Sequence, residues 1–294
     1  MSDALIERVR SFNRTVTQTI GALQQGYLGR QRPLGESRLL FEIGETGATA
    51  SDLRARLELD SGYLSRLLRS LEQQQQLVVT RPDPADRRVR RVELTTAGRN
   101  ELRSLNRDSD RLAEGILAPL NGLQRTKLTS AMADVERLLT ASAVRIEQVS
   151  PDSRDAEYCL QQYFAELAER FDVGFDPALS LSPTHEEFVP PNGTFLVMRL
   201  HGQPVGCGGF KHESQGAAYI KRMWVANEAR GLGLGRRLLQ ELEQRARSLG
   251  YRKLRLETQK SLSEAQQLYR SSGFREVPPF NDEPYAHHWF EKTL

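Results

Sequence analysis

Apolar residues recur every three to four positions over residues 3–25, at Leu5, Ile6, Val9, Phe12, Val16 and Ile20. That spacing predicts a helix, which Gly26 and Gly29 stop. A second helix is predicted over 35–44, burying Leu39, Leu40 and Ile43. Thr49 then caps a short helix through Leu57, and Ser61 caps another from 62 to about 76, with Leu64, Leu67, Leu68 and Leu71 as its buried stripe. The period next switches to alternation. Residues 77–80 and 89–94 read as strands around the turn RPDPADRRV, which makes a β-hairpin. Thr95, Thr96 and Gly98 open a helix of about twenty residues, and a further helix covers 124–141. Beyond it, a strand at 144–149 and a helix at 153–171 precede strands at 194–200, 204–210 and 217–225. The last of these runs straight into a glycine turn and a helix, then a strand at 253–258 and a helix ending at Gly273–Phe274. Residues 177–192 form the longest irregular stretch and are a candidate lid.

Length and charge divide this run of elements. A chain of 294 residues holds two domains at ~150 residues each. No apolar run approaches the ~18 residues of a membrane span, and MSDALIERVR has no signal-peptide core. Two cysteines, Cys159 and Cys207, make neither a disulfide framework nor a four-cysteine metal site. His185, His201 and His212 lack ligand spacing, so no metal is expected. These features predict a reduced, cytoplasmic protein with no membrane partner. Residues 1–143 carry 22 Lys+Arg against 18 Asp+Glu, and 144–294 carry 19 against 20. Arg81, Arg87, Arg88, Arg90 and Arg91 crowd into the hairpin.

Two short helices joined by a tight turn and followed by an arginine-rich hairpin make a winged helix-turn-helix. On its second helix Ser61, Tyr63, Ser65, Arg66 and Arg69 are the candidates to meet double-stranded DNA in a major groove. On the wing the candidates are Arg87, Arg88 and Arg90, placed to follow the backbone or enter a narrow minor groove. SDLRARLELDSGYLSRLLRSLEQQQQL and DPADRRVRRVELTTAG resemble the MarR family of winged-helix regulators, whose Asp-x-Arg wing signature falls on Asp86 and Arg88, with Leu94 and Thr95 after it. The resemblance implies a homodimer held by the first and last helices of the domain, bound to a pseudo-palindromic operator.

Glycines between a strand and a helix favour an anion at the helix N-terminus. A P-loop is excluded because Gly235 is followed by Arg236 and Arg237, and the dinucleotide fingerprint fails from either starting glycine. Arg230, Gly233 and Gly235 instead fit Arg-x-x-Gly-x-Gly, and SEAQQLYRSSGF follows at a suitable distance. Residues 144–294 therefore resemble the GNAT superfamily of N-acetyltransferases. The expected fold class is two domains, a mainly α winged helix-turn-helix at 1–143 followed by an α/β GNAT fold with a mixed, splayed sheet at 144–294.

The resemblance implies acetyl-CoA as co-substrate, paired with backbone around Met223 and Val225, its pyrophosphate on the segment holding Arg230, Gly231, Gly233, Gly235 and Arg236. It also implies Tyr269 as the acid that protonates the departing thiolate. Tyr219 occupies the place where many relatives carry a glutamate base, so Glu257 on the next strand is the replacement candidate. For a small amine or amino-acid acceptor, Tyr219, Arg222 and His288 are the candidate contacts. Alternation puts Lys221 and Arg222 on opposite sheet faces, so at most one of them enters the cleft. Of three readings, the intact wing from Asp86 to Arg91 argues against an acetyltransferase whose winged helix only dimerises it, and Gly233, Gly235 and Tyr269 argue against a non-catalytic sensor, so a bifunctional regulator and acetyltransferase is the expectation.

Overall fold

The computed structural model describes residues 2–23, 27–30, 32–83, 86–172, 174–181, 184–213 and 216–294. The chain falls into two compact units, Met1–Met132 and Ala133–Leu294. The first unit contains α1 (Asp3–Thr19), α2 (Leu34–Ile43), β1 (Ala48–Thr49), α3 (Ala50–Leu57), α4 (Ser61–Arg69), β2 (Val78–Pro82), β3 (Arg90–Leu94) and α5 (Thr96–Leu117). Its three strands pair antiparallel in the order β1-β3-β2. The apolar positions read from the sequence close one core, in which Leu39, Leu40, Leu53, Leu71, Val92 and Leu105 are fully buried. Helix α6 (Gly122–Ala143) spans the division between the units.

Local chemistry explains the element boundaries. The α3 cap is Thr49, whose hydroxyl accepts from the Asp52 amide at 3.1 Å. The α4 cap is Asp60 rather than Ser61: its carboxylate accepts from Tyr63 N at 2.8 Å, and a carboxylate there also complements the helix dipole. Ser61 is consequently the first helical residue. Below α4 the chain continues through a π-helical turn, Ser70–Gln74. Helix α1 stops at Thr19, earlier than its periodicity predicts, and the Gly26 stop signal lies outside the described residues. The wing is present as β2 and β3, while Pro84 and Ala85 of its turn also lie outside them.

The second unit follows with β4 (Arg145–Gln148), α7 (Arg154–Arg170), β5 (Gly193–Leu200), β6 (Gln203–Glu213), β7 (Ala217–Val225), α8 (Leu234–Ser248), β8 (Lys253–Thr258), α9 (Ser263–Ser271), β9 (Arg275–Val277) and β10 (His288–Thr293). Seven strands form one mixed sheet, β4-β5-β6-β7-β8-β10-β9, in which β7 and β8 run parallel. Phe188, Phe195, Phe210, Leu238, Leu242, Leu254 and Phe290 are buried in its core.

Two features of β7 position the site. Its pairing with β8 extends from Ala217–Lys253 to Tyr219–Arg255, and past that point the strands separate. On its other edge the register with β6 shifts between Cys207 and Gly209, so Arg222 and Met223 together face Gly208. Arg222 sits at φ +61°, a strained conformation for a residue with a Cβ.

Candidate active site and nucleic-acid interface

The opening between β7 and β8 is a cleft. Ile220, Lys221, Arg222 and Met223 line it from β7, Leu256, Glu257 and Thr258 from β8, and Tyr269 from α9. Helix α7 contributes Tyr163, Phe164 and Leu167, and the segment before β10 contributes Glu283, Tyr285 and Ala286. Glu257 is nearly enclosed. Its Oε1 accepts from Lys221 Nζ at 2.5 Å and its Oε2 from the Tyr219 hydroxyl. Lys221 Nζ also reaches Glu283 Oε2 at 3.0 Å, so one ammonium bridges two carboxylates. Behind them Asn281 donates to the Tyr219 hydroxyl at 2.7 Å and accepts from Trp289 Nε1 at 2.8 Å, which fixes the network from the last strand.

Tyr269 is buried on α9 with its ring against Phe274 and Phe290. Burial, reinforced by the Glu257 charge, raises its phenol well above the usual value of about 10. It therefore keeps its proton at neutral pH. Tyr163, half-buried on α7 where it lines the same cleft, is raised chiefly by desolvation as well. The sequence reading missed Tyr163. An aromatic on the inner face of α7 was legible, whereas its approach to Glu257 depends on the packing of α7.

The other acceptor-site candidates separate. Tyr219 is not among the residues lining the cleft; it stands behind Glu257 and orients it. His288 is not among the residues lining the cleft and instead meets Glu276, with Nδ1 and Oε1 2.6 Å apart, because Glu276 lies opposite Phe290, two residues along β10 and on the same face as His288. Lys221 and Arg222 both line the cleft, contrary to simple alternation, and the bulge is the reason. Lys221 carries the ion pairs, while the Arg222 guanidinium lies over the Phe164 and Phe188 rings at 5.6 and 5.2 Å. The candidate lid is anchored: Thr184 and Glu187 form a capping box on a 3-10 turn, His185–Phe188, and Glu187 pairs with Lys211 at 2.8 Å. Ser182 and Pro183 lie outside the described residues.

The glycine turn follows β7. Gly231 and Gly233 have φ of +77° and +74°, and a Cβ at either would meet nothing within 4 Å, so the turn is open on its outer side. Gly233 is the N-cap of α8 and no side chain caps that helix, a site that suits a phosphate group. Met223 and Val225 precede the turn, on the stretch of β7 that has left β8. Arg230 braces this corner, donating to Val225 O at 3.0 Å and pairing with Glu166 at 2.5 Å. Arg236 is tied to the end of α9 through Ser271 O and Oγ, at 3.2 and 2.8 Å, and Gly235 packs near Leu268. Among the described residues no group of three His, Cys, Asp or Glu side chains could hold a metal.

In the first unit α4 and the wing present the basic candidates. Ser61, Tyr63, Ser65, Arg66 and Arg69 are exposed. Tyr63 is only 38% so, its hydroxyl lying beside Gly35 and its ring 5.6 Å from the Arg66 guanidinium. The Ser65 hydroxyl donates back to Ser61 O at 2.7 Å. On the wing Arg87, Arg88 and Arg90 are exposed. Arg88 grips Asp86 through Nε at 3.1 Å and Nη2 at 3.0 Å, and that guanidinium holds the Asp86 carboxyl below its usual range. No described helix is long and apolar enough to cross a membrane.

Residues 160–274 match the model of the acetyltransferase (GNAT) family, and residues 28–89 match the MarR family. An uncharacterised N-acetyltransferase of Schizosaccharomyces pombe is 33% identical over 149 residues, covering 50% of this chain and 88% of that protein. The IAA acetyltransferase of Azospirillum brasilense is 35% identical over 132 residues, 43% of this chain and 85% of that protein. An uncharacterised HTH-type transcriptional regulator of Bacillus subtilis is 31% identical over 95 residues, 32% of this chain and 56% of that protein. With its splayed parallel strands, glycine turn and these relatives, the chain belongs to the GNAT family of acetyltransferases, whose acyl donor is acetyl-CoA, and it carries a MarR-like helix-turn-helix ahead of the transferase fold.

Proposed function

We propose that the chain is both a transcriptional regulator and an acetyl-CoA-dependent N-acetyltransferase for a small amine or amino acid. In this reading residues 1–143 bind DNA and dimerise, and residues 144–294 transfer the acetyl group. The observation that carries the catalytic half is the cleft between β7 and β8, which gathers Glu257 and Tyr269, with the open glycine turn following the splayed end of β7. Acetyl-CoA supplies a thioester as the acetyl donor. The stretch of β7 around Met223 and Val225, unpaired with β8, would hold its pantetheine arm, and amides from Arg230 to Arg236 would hold its pyrophosphate.

The chain's residues then divide the proton work. An alkyl ammonium with a pKa near ~10.4 must lose a proton before its nitrogen can attack. Glu257 receives that proton, since each carboxylate oxygen keeps a second lone pair beyond the one used by Lys221 or Tyr219. The C–N bond forms as the C–S bond breaks, amide groups near Val225 stabilise the developing oxyanion, Tyr269 gives its proton to the departing sulfur, and the second proton shed by the nitrogen restores the Tyr269 phenol. The products are the N-acetyl amine and free coenzyme A.

Support for the regulatory half comes from the exposed arginines of α4 and the wing, and from α1 and α6, neither of which buries a single residue in the chain. We assign both helices to a homodimer interface on double-stranded, pseudo-palindromic DNA. The reducing cytoplasm suits this reading, because Cys159 and Cys207 are both free thiols.

The test is acetyl-CoA-dependent release of free thiol by the full chain, run across amines and amino acids and repeated with Tyr269→Phe. Turnover with a small amine is expected, and the variant should lose about 10- to 100-fold in kcat with little change in the KM for acetyl-CoA. Equal turnover by the variant removes Tyr269 from the mechanism, and no thiol release with any acceptor refutes the catalytic reading.

A further inference from the structure

Glu283 has no role in the chemistry above, yet its surroundings are unusual. It lies between β9 and β10, its side chain is 4% exposed, and it lines the cleft. Its Oε2 accepts from the Ser180 hydroxyl, the Leu181 amide and Lys221 Nζ, each at 3.0 Å. Its Oε1 is buried and has no hydrogen-bond partner. A sheltered carboxylate oxygen without a donor is costly, and in a cleft it marks a place for a ligand's donor. Lys221 does not fill the gap: its ammonium reaches Glu257 through Oε1 and Glu283 through Oε2.

The wall beside Glu283 is aromatic. Phe175 stacks on Phe164 with ring centres 5.7 Å apart, and Tyr285 lies 4.9 Å from Phe175 and 5.7 Å from Phe171. All four rings line the same cleft. A polyamine or an aminoglycoside would lose hydration against these rings without replacing it. An acidic amino acid would bring a second negative charge toward Glu283. A flat apolar body carrying one ammonium satisfies both halves of the site, and the sheltered position strengthens its bond to the oxygen.

We infer that the acceptor is an arylalkylamine, its ammonium donating to Glu283 Oε1 and its ring packed on Phe171, Phe175 and Tyr285. This specificity rests on the acetyl-transfer reading above and narrows it. Glu283 is the anchoring residue, and the reacting proton still leaves by way of Glu257.

The experiment pairs calorimetric binding to the full chain, without acetyl-CoA, with thiol release in its presence. The probes are 2-phenylethylamine, 2-phenylethanol (ring without ammonium) and 1,4-diaminobutane (ammonium without ring). The phenylethylamine is expected to bind at least about tenfold more tightly than either of the others, and to be the best acceptor. Glu283→Gln should raise its Kd and KM about 10- to 100-fold, with kcat within about threefold and the KM for acetyl-CoA unmoved. A purely structural role for Glu283 would instead disturb kcat and both KM values together. Phe175→Leu, which keeps bulk and drops the ring, should weaken phenylethylamine about fivefold and leave diaminobutane unaffected. Unchanged phenylethylamine binding in Glu283→Gln, or diaminobutane as the better ligand, overturns the inference. Turnover restricted to polar amines overturns it and leaves acetyl transfer standing. Selective phenylethylamine binding with no turnover of any amine keeps the subsite and refutes acetyl transfer.

Discussion

At the scale of single residues, Arg88 and Glu283 mark two extremes of legibility. Arg88 was readable because its partner is two positions away: Asp86 and Arg88 form a local turn whose geometry travels with the motif. Its side chain is 91% exposed, and an ion pair in water is weak enough to exchange for a phosphate. Arg88→Ala should therefore weaken binding to a mixed-sequence duplex about fivefold and flatten the slope of log affinity against log salt by about one unit. Anisotropy titrations across salt concentrations measure both, and an unchanged slope would take Arg88 out of the DNA contact. Glu283 was invisible, since Ser180 and Lys221 reach it from 103 and 62 positions away in the sequence. Nothing in NDEPY distinguishes it from an ordinary solvated acid.

Elements sharpen this contrast. The start of α5 was legible as Thr95 followed three residues later by Gly98, and the structure shows why a glycine stands there. Thr95 caps the helix through the Gly98 amide at 3.0 Å, and its own amide and hydroxyl reach back to Leu77 O at 3.0 and 3.2 Å. This draws the strand end against the helix. A Cβ at Gly98 would lie 2.0 Å from that same Leu77 oxygen, backbone against backbone, with no flexible side chain to yield. Gly98→Ala should cost about 3 kcal/mol of the first unit's stability, read as a lower denaturant midpoint for hydrogen exchange at α5 amides. An unmoved midpoint would show that the strand end can retreat. The bulge in β7 was not legible. Strict alternation separates Lys221 from Arg222, but the register of β6 against β7 decides which residues share a wall, and register belongs to the pair of strands.

For the whole molecule, the amphipathic pattern of α1 predicts a buried stripe that the single chain does not bury. Leu5, Ile6, Val9 and Phe12 are 43–60% exposed, and Leu138 and Leu139 of α6 are each 61% exposed. Helices of this kind gain their stability by covering that face, here by a second copy in the proposed dimer. Sedimentation velocity should give twice the 33.3 kDa chain mass, with Val9→Glu shifting the population toward monomer. A monomeric parent protein would end the dimer proposal. The sequence by itself determined what depends on neighbours along the chain: helix periods, the Thr49 and Thr95 caps, the wing, and the glycine turn whose positive φ values only glycine adopts freely. Tertiary structure decided what depends on distance in space. It placed Lys221 between two carboxylates, turned His288 toward Glu276, set Tyr219 behind Glu257, and enclosed one oxygen of Glu283 beside four aromatic rings. Those contacts join strands and loops far apart in sequence, and no local propensity encodes them.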